Sequence, residues 1–319
     1  MRNFFAVLII LIVAAGVLAG CYLTYTYFTT KTEEVAENKI TESQEKIDTE
    51  PIFTLENYPK VDASLATQPL TNAFIKDFTG EDVDTSKLDY TNTHPGYTRL
   101  VDGEVDLIVV TEPSEDELAY AKEKGVELDV TPVVREGFVF YVNGENPVDN
   151  LSLEQIQKIY TGEIKNWKDV GGNDAPIRAL QRNVNSGSQT GMLSLVMKGL
   201  NMMEPITEDR IGTMESIINI VSDYDNGVNS LGYSYYYYAT TMYDEIDKTI
   251  ADGIKLLGVN GVKPNYETIQ NETYPIKTAY YIVTRKNEPE ESQTLKLKEA
   301  MLSARGQNVA KEAGYVPAK

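Results

Sequence analysis

The chain has 319 residues, 42% of them hydrophobic, enough to bury one large core or two lobes of ordinary size. Its formal net charge is −19, with acidic residues spread along the chain, which argues against nucleic-acid binding because that needs a basic surface. A single cysteine, Cys21, excludes an internal disulfide, and a single histidine, His94, leaves little for a histidine triad or a zinc cluster. In chain order, Arg2 precedes an apolar run over residues 4–19 that ends Leu18-Ala19-Gly20-Cys21, a secretory-signal pattern of small residues before a Cys. Apolar and aromatic residues continue through Tyr22, Leu23, Tyr25, Tyr27 and Phe28, so the segment also has roughly the 20 residues that span a bilayer. In that case Arg2 keeps the start cytoplasmic. Either reading puts the rest of the chain outside the cytoplasm. Residues 29–51 are polar and rich in Glu, Lys and Thr, as in a solvated tether.

Beyond the tether, apolar runs alternate with amphipathic stretches, the pattern of an α/β protein. A helix is expected over residues 69–78. Residues 105–110 form a nearly continuous apolar run, as in a strand covered on both faces. Ser114 and Glu117 make a capping box for the helix that follows, and Ser152 and Gln155 make a second. Residues 138–142 read as another buried strand. Further strands are expected at 177–180, 231–238, 254–259 and 279–284, with a final helix over 290–304.

Ser186-Gly187-Ser188 follows the strand at 177–180 and precedes an apolar helix. Small residues at such a junction expose backbone N–H groups at a helix N-terminus, where the dipole favours an anion. Gly187 permits a close approach, and the serines add hydroxyl donors. Arg182 supplies a planar fork that can grip two oxygens. The same residues also make an ordinary N-cap beside a surface arginine. Asp62-Ala63-Ser64-Leu65 precedes the helix at 69–78 and presents a second N-terminus.

The Leu18-Ala19-Gly20-Cys21 segment resembles the lipobox of bacterial lipoproteins. That implies cleavage before Cys21, diacylglycerol on its thiol and stable anchoring by more than one chain. Residues 1–20 are then a signal peptide (or, on the other reading, a transmembrane anchor), and residues 21–50 a lipid-anchored tether. Four further segments, in order, resemble the PstS-type phosphate-binding proteins of bacterial ABC transporters. They are YPKVDASLATQPLTNAF (58–74), NPVDNLSLEQIQKIYTGEIKNWKDVGG (146–172) with RNVNSGSQT (182–190), NSLGYSYYYYA (229–239), and YPIKTAYYIVTRK (274–286) with AGYVP (313–317).

The resemblance implies an α/β, two-lobed type 2 periplasmic-binding-protein fold with a ligand cleft between the lobes. Residues 51–138 and 263–319 form lobe 1, and residues 139–262 form lobe 2. It implies a monomer that captures phosphate, or a similar small oxyanion, for an ABC transporter permease, without cofactor or catalysis. The place is the outer face of the bacterial cytoplasmic membrane. The anion site implied is Ser64, Leu65, Thr93, Thr111 or Glu112, Arg182, Ser186, Gly187 and Ser188. A sensor or envelope interaction module of the same fold is the alternative. An extracellular phosphatase is opposed by the lack of a free cysteine nucleophile, of more than one histidine and of a metal cluster.

Three positions depart from or qualify the pattern. The usual Gly-Ser-Thr reads Ala63-Ser64-Leu65, so a hydroxyl is missing at Leu65 while its N–H remains. Thr93 matches a Ser or Thr ligand, in the loop before the strand at 103–110. A plain turn before Pro95 is the other account of it, and for His94 the turn is preferred. Thr111 stands where the family has an aspartate, which accepts a proton from phosphate and repels sulfate. Thr111 accepts but does not repel. Glu112 either takes over that task or simply charges the next helix N-terminus. Trp167 is expected as a packing residue, and residues 235–238 as a strand half in the core.

Overall fold

The computed structural model of the protein describes residues 50–205, 210–222, 227–242 and 253–318. The signal or anchor segment, Cys21 and the tether up to residue 49 lie outside the described residues. Among those described, no helix is long and apolar enough to cross a membrane.

The expected alternation of strands and helices is present. β1 (Val61–Ala63) passes through a short turn into α1 (Gln68–Thr79), which has a proline in its first turn and a left-handed Gly80 at its end. Next come α2 (Thr93–Val101), β2 (Leu107–Val110) and α3 (Glu115–Glu123). The longest strand is β3 (Leu128–Asn143), followed by α4 (Leu153–Thr161) and β4 (Arg178–Ala179). α5 (Gly187–Gly191) runs on as a π-helix over Met192–Met197. Then follow α6 (Met214–Ser222), β5 (Ser230–Tyr235), β6 (Ile254–Leu256) and α7 (Tyr266–Gln270). β7 (Lys277–Arg285), α8 (Gln293–Leu302), α9 (Ala304–Glu312) and β8 (Val316–Pro317) close the chain. Both capping boxes form as read, Ser114 with Glu117 and Ser152 with Gln155.

The main sheet has the order β1-β2-β7-β3-β5-β4, with β6 and β8 also on β3. β3 changes partner part-way along. Leu128 to Gly137 pairs antiparallel with β7, and Phe138 to Val142 pairs antiparallel with β5. Pro132, which has no N–H to give, lies at the register shift opposite Tyr280 and Tyr281, where a bulge tolerates it. In β2, Leu107 and Val109 enter the large core, while Ile108 and Val110 face a smaller one with Tyr97, Leu100, Val105 and Val283. The two-residue period of a strand covered on both faces explains the unbroken apolar run. Trp167 is buried and donates its indole N–H to Asn229 O at 2.9 Å, a packing residue as expected.

Three elements differ from the sequence expectation. The strand expected at 254–259 is two, Ile254–Leu256 on β3 and Gly258–Val259 paired with Asn150–Leu151. The helix expected at 290–304 is α8, and a further helix, α9, follows it. Ser303 ends α8 and caps α9, accepting from the Gly306 N–H at 3.2 Å. A Cβ on Gly306 would lie 2.3 Å from Ala300 O, so only glycine allows the corner. The tyrosine run is not one strand either. β5 stops at Tyr235, and Tyr235, Tyr237 and Tyr238 are all buried.

Glu136 explains the stop. Both of its carboxyl oxygens lie 3.3 Å from the Tyr237 N–H, which is thereby withdrawn from strand pairing, and Oε1 also accepts from Gly137 N at 2.8 Å. Burial pushes this carboxyl up from 4.5 to about 8, against the lowering effect of the amides. Because the folded value lies above the unfolded one, the stabilising protonated form is full below about pH 4.5 and lost as pH rises toward 8. Glu136→Gln, which copies the neutral acid, is expected to leave stability nearly unchanged at pH 5. At pH 8.5 it should raise stability by roughly 4–5 kcal/mol, measured by urea denaturation. Parallel pH profiles for the two proteins would rule out this account.

Candidate functional site

The candidate site is a cavity of about 450 Å³ where chain segments far apart in sequence meet. One side is built from Ser64, Leu65 and Ala66 after β1, Thr91 to Pro95 at the start of α2, and Thr111 after β2. The other side is built from Arg182 to Ser188 ahead of and within α5, with Gly212, Thr213, Tyr235 and Tyr238. Eight of the expected residues, Ser64, Leu65, Thr93, Thr111, Arg182, Ser186, Gly187 and Ser188, are therefore brought together.

Arg182 is only 9% exposed, and its side chain is held on three sides. Nε donates to Ile211 O at 3.1 Å, NH1 to Ser188 Oγ at 3.2 Å and NH2 to Gly212 O at 3.2 Å. Its backbone N–H donates to Gln189 Oε1 and Tyr233 Oη, both at 3.0 Å. Burial pulls its guanidinium below the usual arginine value, although arginine stays charged. This is no surface arginine. Ser186 caps α5, its Oγ accepting from Gln189 N at 3.3 Å.

Gly187 is pressed against the opposite wall. A Cβ there would lie 2.5 Å from Thr111 Oγ1 and 2.9 Å from Thr93 Oγ1, so the close approach needs glycine. The Tyr235 hydroxyl donates to Gly187 O at 3.0 Å and fixes the turn from below. Thr111 is buried, and its Oγ1 makes no well-formed hydrogen bond, although the Tyr235 phenol is beside it. Its carbonyl accepts from Tyr97 Oη at 2.8 Å.

Thr93 begins a helix rather than sitting in a loop. Asn92 before it takes φ 98°, which turns the chain into α2. The Leu65 N–H, expected to be available, donates to Asn92 Oδ1 at 3.2 Å. Ser64 Oγ lies 2.9 Å from Thr67 Oγ1. Glu112 does not line the cavity. Its carboxylate accepts from the Ser194 hydroxyl, and burial raises its pKa. His94 lines the rim with Nδ1 3.0 Å from Glu117 Oε1, so it is more than a turn residue. Burial raises the Glu117 pKa, with the Ser114 N–H and His94 opposing the rise.

Sequence reasoning missed Asn92, Tyr235 and Tyr238. The run of four tyrosines reads as a strand, and its period hides which hydroxyls turn inward. The asparagine carries no signal except its place before Thr93.

Asp62 holds the first wall together. It is fully buried and accepts from Arg99 NH1 at 2.7 Å, Thr91 N at 2.7 Å and Thr91 Oγ1 at 2.6 Å. That ties the segment bearing Ser64 to the one bearing Thr93. Arg99→Ala leaves a buried carboxylate uncompensated and should cost about 3–5 kcal/mol in chemical denaturation. Adding Asp62→Asn should recover part of the loss; a double variant weaker by the full sum of the two would contradict the pairing.

Chemically, the cavity offers one guanidinium, several hydroxyls and the amides of a helix start, a set suited to a small multivalent anion. Among the described residues, no group of three or more His, Cys, Asp or Glu side chains lies close enough to hold a metal ion.

Residues 56–302 match the family described as PBP superfamily domain. Among curated relatives, the phosphate-binding protein PstS of Borreliella burgdorferi is 30% identical over 189 residues, 58% of this chain and 64% of the relative. The phosphate-binding protein PstS of Bacillus subtilis is 28% identical over 220 residues, 68% of this chain and 66% of the relative. The match thus spans slightly under two thirds of either relative. Among solved structures, a putative phosphate ABC transporter substrate-binding protein with bound phosphate from Clostridium perfringens superposes with a TM-score of 0.60 at 24% identity. It covers 81% of this chain and 98% of that one. An ABC-type phosphate transport receptor from Vibrio cholerae gives 0.58 at 21% identity, covering 80% and 98%. These likenesses show the α/β, two-lobed architecture with its cleft between the lobes.

Proposed function

We propose, from the premise that this chain belongs to the PBP superfamily, that its cleft captures phosphate or a closely similar small oxyanion and delivers it to an ABC transporter permease. The observation that carries this reading is the meeting of Arg182, the Ser186-Gly187-Ser188 turn, Ser64, Thr93 and Thr111 in one cavity. The names of the curated relatives support the ligand. The net charge of −19 is no obstacle, because a buried anion responds to the few donors around it.

In this reading Arg182 grips two oxygens, and the amides and hydroxyls of residues 186–188 take the others. Ser64, Thr93 and Thr111 close from the opposite wall. The Leu65 N–H joins them by leaving Asn92. Lobe 1 comprises residues 51–138 and 263–319, and lobe 2 residues 139–262. The partner change of β3 between Gly137 and Phe138 supports that division. Hinge bending there buries the anion and creates the surface a permease recognises. The protein acts as a monomer, without cofactor and without turnover. Cys21 carries lipid and holds the chain on the outer face of the membrane.

Calorimetric titration of the purified protein with phosphate is the test. Wild type is expected to bind, and Arg182→Ala to bind about a hundredfold more weakly, as loss of charge-assisted hydrogen bonds predicts. Unchanged affinity in the variant would refute the site. For the anchor, fatty-acid labelling in the producing cell should mark wild type and not Cys21→Ala. Labelling of neither would favour a transmembrane anchor.

A further inference from the structure

We propose that the cavity takes a phosphoryl anion bearing a short apolar substituent, an alkyl phosphate or an alkylphosphonate, with Val184 and Leu65 against the substituent. The inference rests on the capture reading above, which supplies the donors for the phosphoryl end, and adds what lies beyond them.

The cavity holds about 450 Å³. A water takes about 30 Å³ of the liquid, so an anion of five heavy atoms needs at most about 150 Å³. Cavities of about 300–1,000 Å³ hold organic ligands. The excess is not a gap between parted walls. Gly187 already lies so close to the opposite wall that a Cβ on it would stand 2.5 Å from Thr111 Oγ1. Asn185 Nδ2 donates to Asp116 Oδ2 at 2.9 Å, and the Ser194 hydroxyl donates to Glu112. With the walls in contact at these points, further bending has little room in which to shrink the cavity.

The lining divides by chemistry. Arg182 and the turn at residues 186–188 gather the positive charge and the donors. Leu65 and Val184, one on each wall, are apolar and open, 37% and 70% exposed. Ala66 and Pro95 add carbon on the Leu65 side. For inorganic phosphate these side chains do nothing useful, because an ion with oxygen at every corner only loses hydration against apolar surface. Carbon on one of those oxygens, or in place of it, reverses the sign, since each methylene removed from water is favourable. The Leu65 N–H is already given to Asn92, so what this residue offers the cavity is its side chain. No aspartate, glutamate or lysine is among the described residues lining the cavity, so a second charge on the ligand would find no fixed partner there besides Arg182. The substituent is therefore uncharged.

The test is calorimetric titration of the purified full-length protein in detergent with inorganic phosphate, propyl phosphate and propylphosphonate at pH 8.5. The two organic arms distinguish an ester from a ligand with carbon bonded to phosphorus. Wild type should bind at least one of them no more than about tenfold more weakly than phosphate. Val184→Ser, at an exposed position, should weaken that ligand about fivefold and leave phosphate within about twofold. Binding more than about tenfold weaker than phosphate in both organic arms would overturn the inference and leave the capture reading standing. An organic affinity unchanged by Val184→Ser would also overturn it. Binding of none of the three by wild type would instead remove the capture reading, and this inference with it.

Discussion

The architecture depends on one strand that belongs to two sheets' worth of partners. β3 runs 16 residues, and every N–H and C=O along its buried length needs a mate. β7 and β8 supply them for the first stretch, β5 and β6 for the second. The change falls at Gly137, whose missing side chain leaves room for Ile269 and Tyr274 packed 3.1–3.3 Å from where a Cβ would be. A bulkier residue there would push the two halves apart. The strand is thus the spine of the core.

The site follows from that arrangement. Its two walls meet most tightly where Gly187 lies against Thr93 and Thr111, and again where Asn185 bonds Asp116 and Ser194 bonds Glu112. Donors dominate both walls, and the one guanidinium is immobilised by backbone carbonyls and Ser188 rather than left to wander on a flexible stem. That side chain is thereby ordered in advance.

Much of this was legible in the residues alone. Helix starts were, because Ser114 with Glu117 and Ser152 with Gln155 act within four residues. The buried strand at 107–110 was, because an unbroken apolar run needs cover on both faces. The helix start at Ser186-Gly187-Ser188 was, because small residues with a serine cap open a helix. What escaped depends on contacts distant in sequence. Nothing near Tyr237 announces that Glu136, 101 residues earlier, takes its N–H and ends the strand. Nothing near Leu65 announces Asn92 as an acceptor for its amide. The helix at 304–312 escaped because the corner before it rests on the close approach of Gly306 to Ala300 O. Glu112 was ambiguous because adjacency to Thr111 says nothing of direction, and its partner, Ser194, lies 82 residues on.

The Glu136 carboxyl also joins two parts that a topology diagram draws separately. It accepts from Gly137 at the partner change of β3 and from Tyr237, next to Tyr238, which lines the cavity. Two residues before Tyr237, the Tyr235 hydroxyl reaches up to the Gly187 carbonyl. From the Gly187 turn to the partner change of β3 there is consequently an unbroken run of hydrogen bonds and peptide links, through Gly187, Tyr235, Tyr237, Glu136 and Gly137. A substitution at Glu136 therefore disturbs the cavity wall and the spine together, although its side chain lines neither side of the cavity.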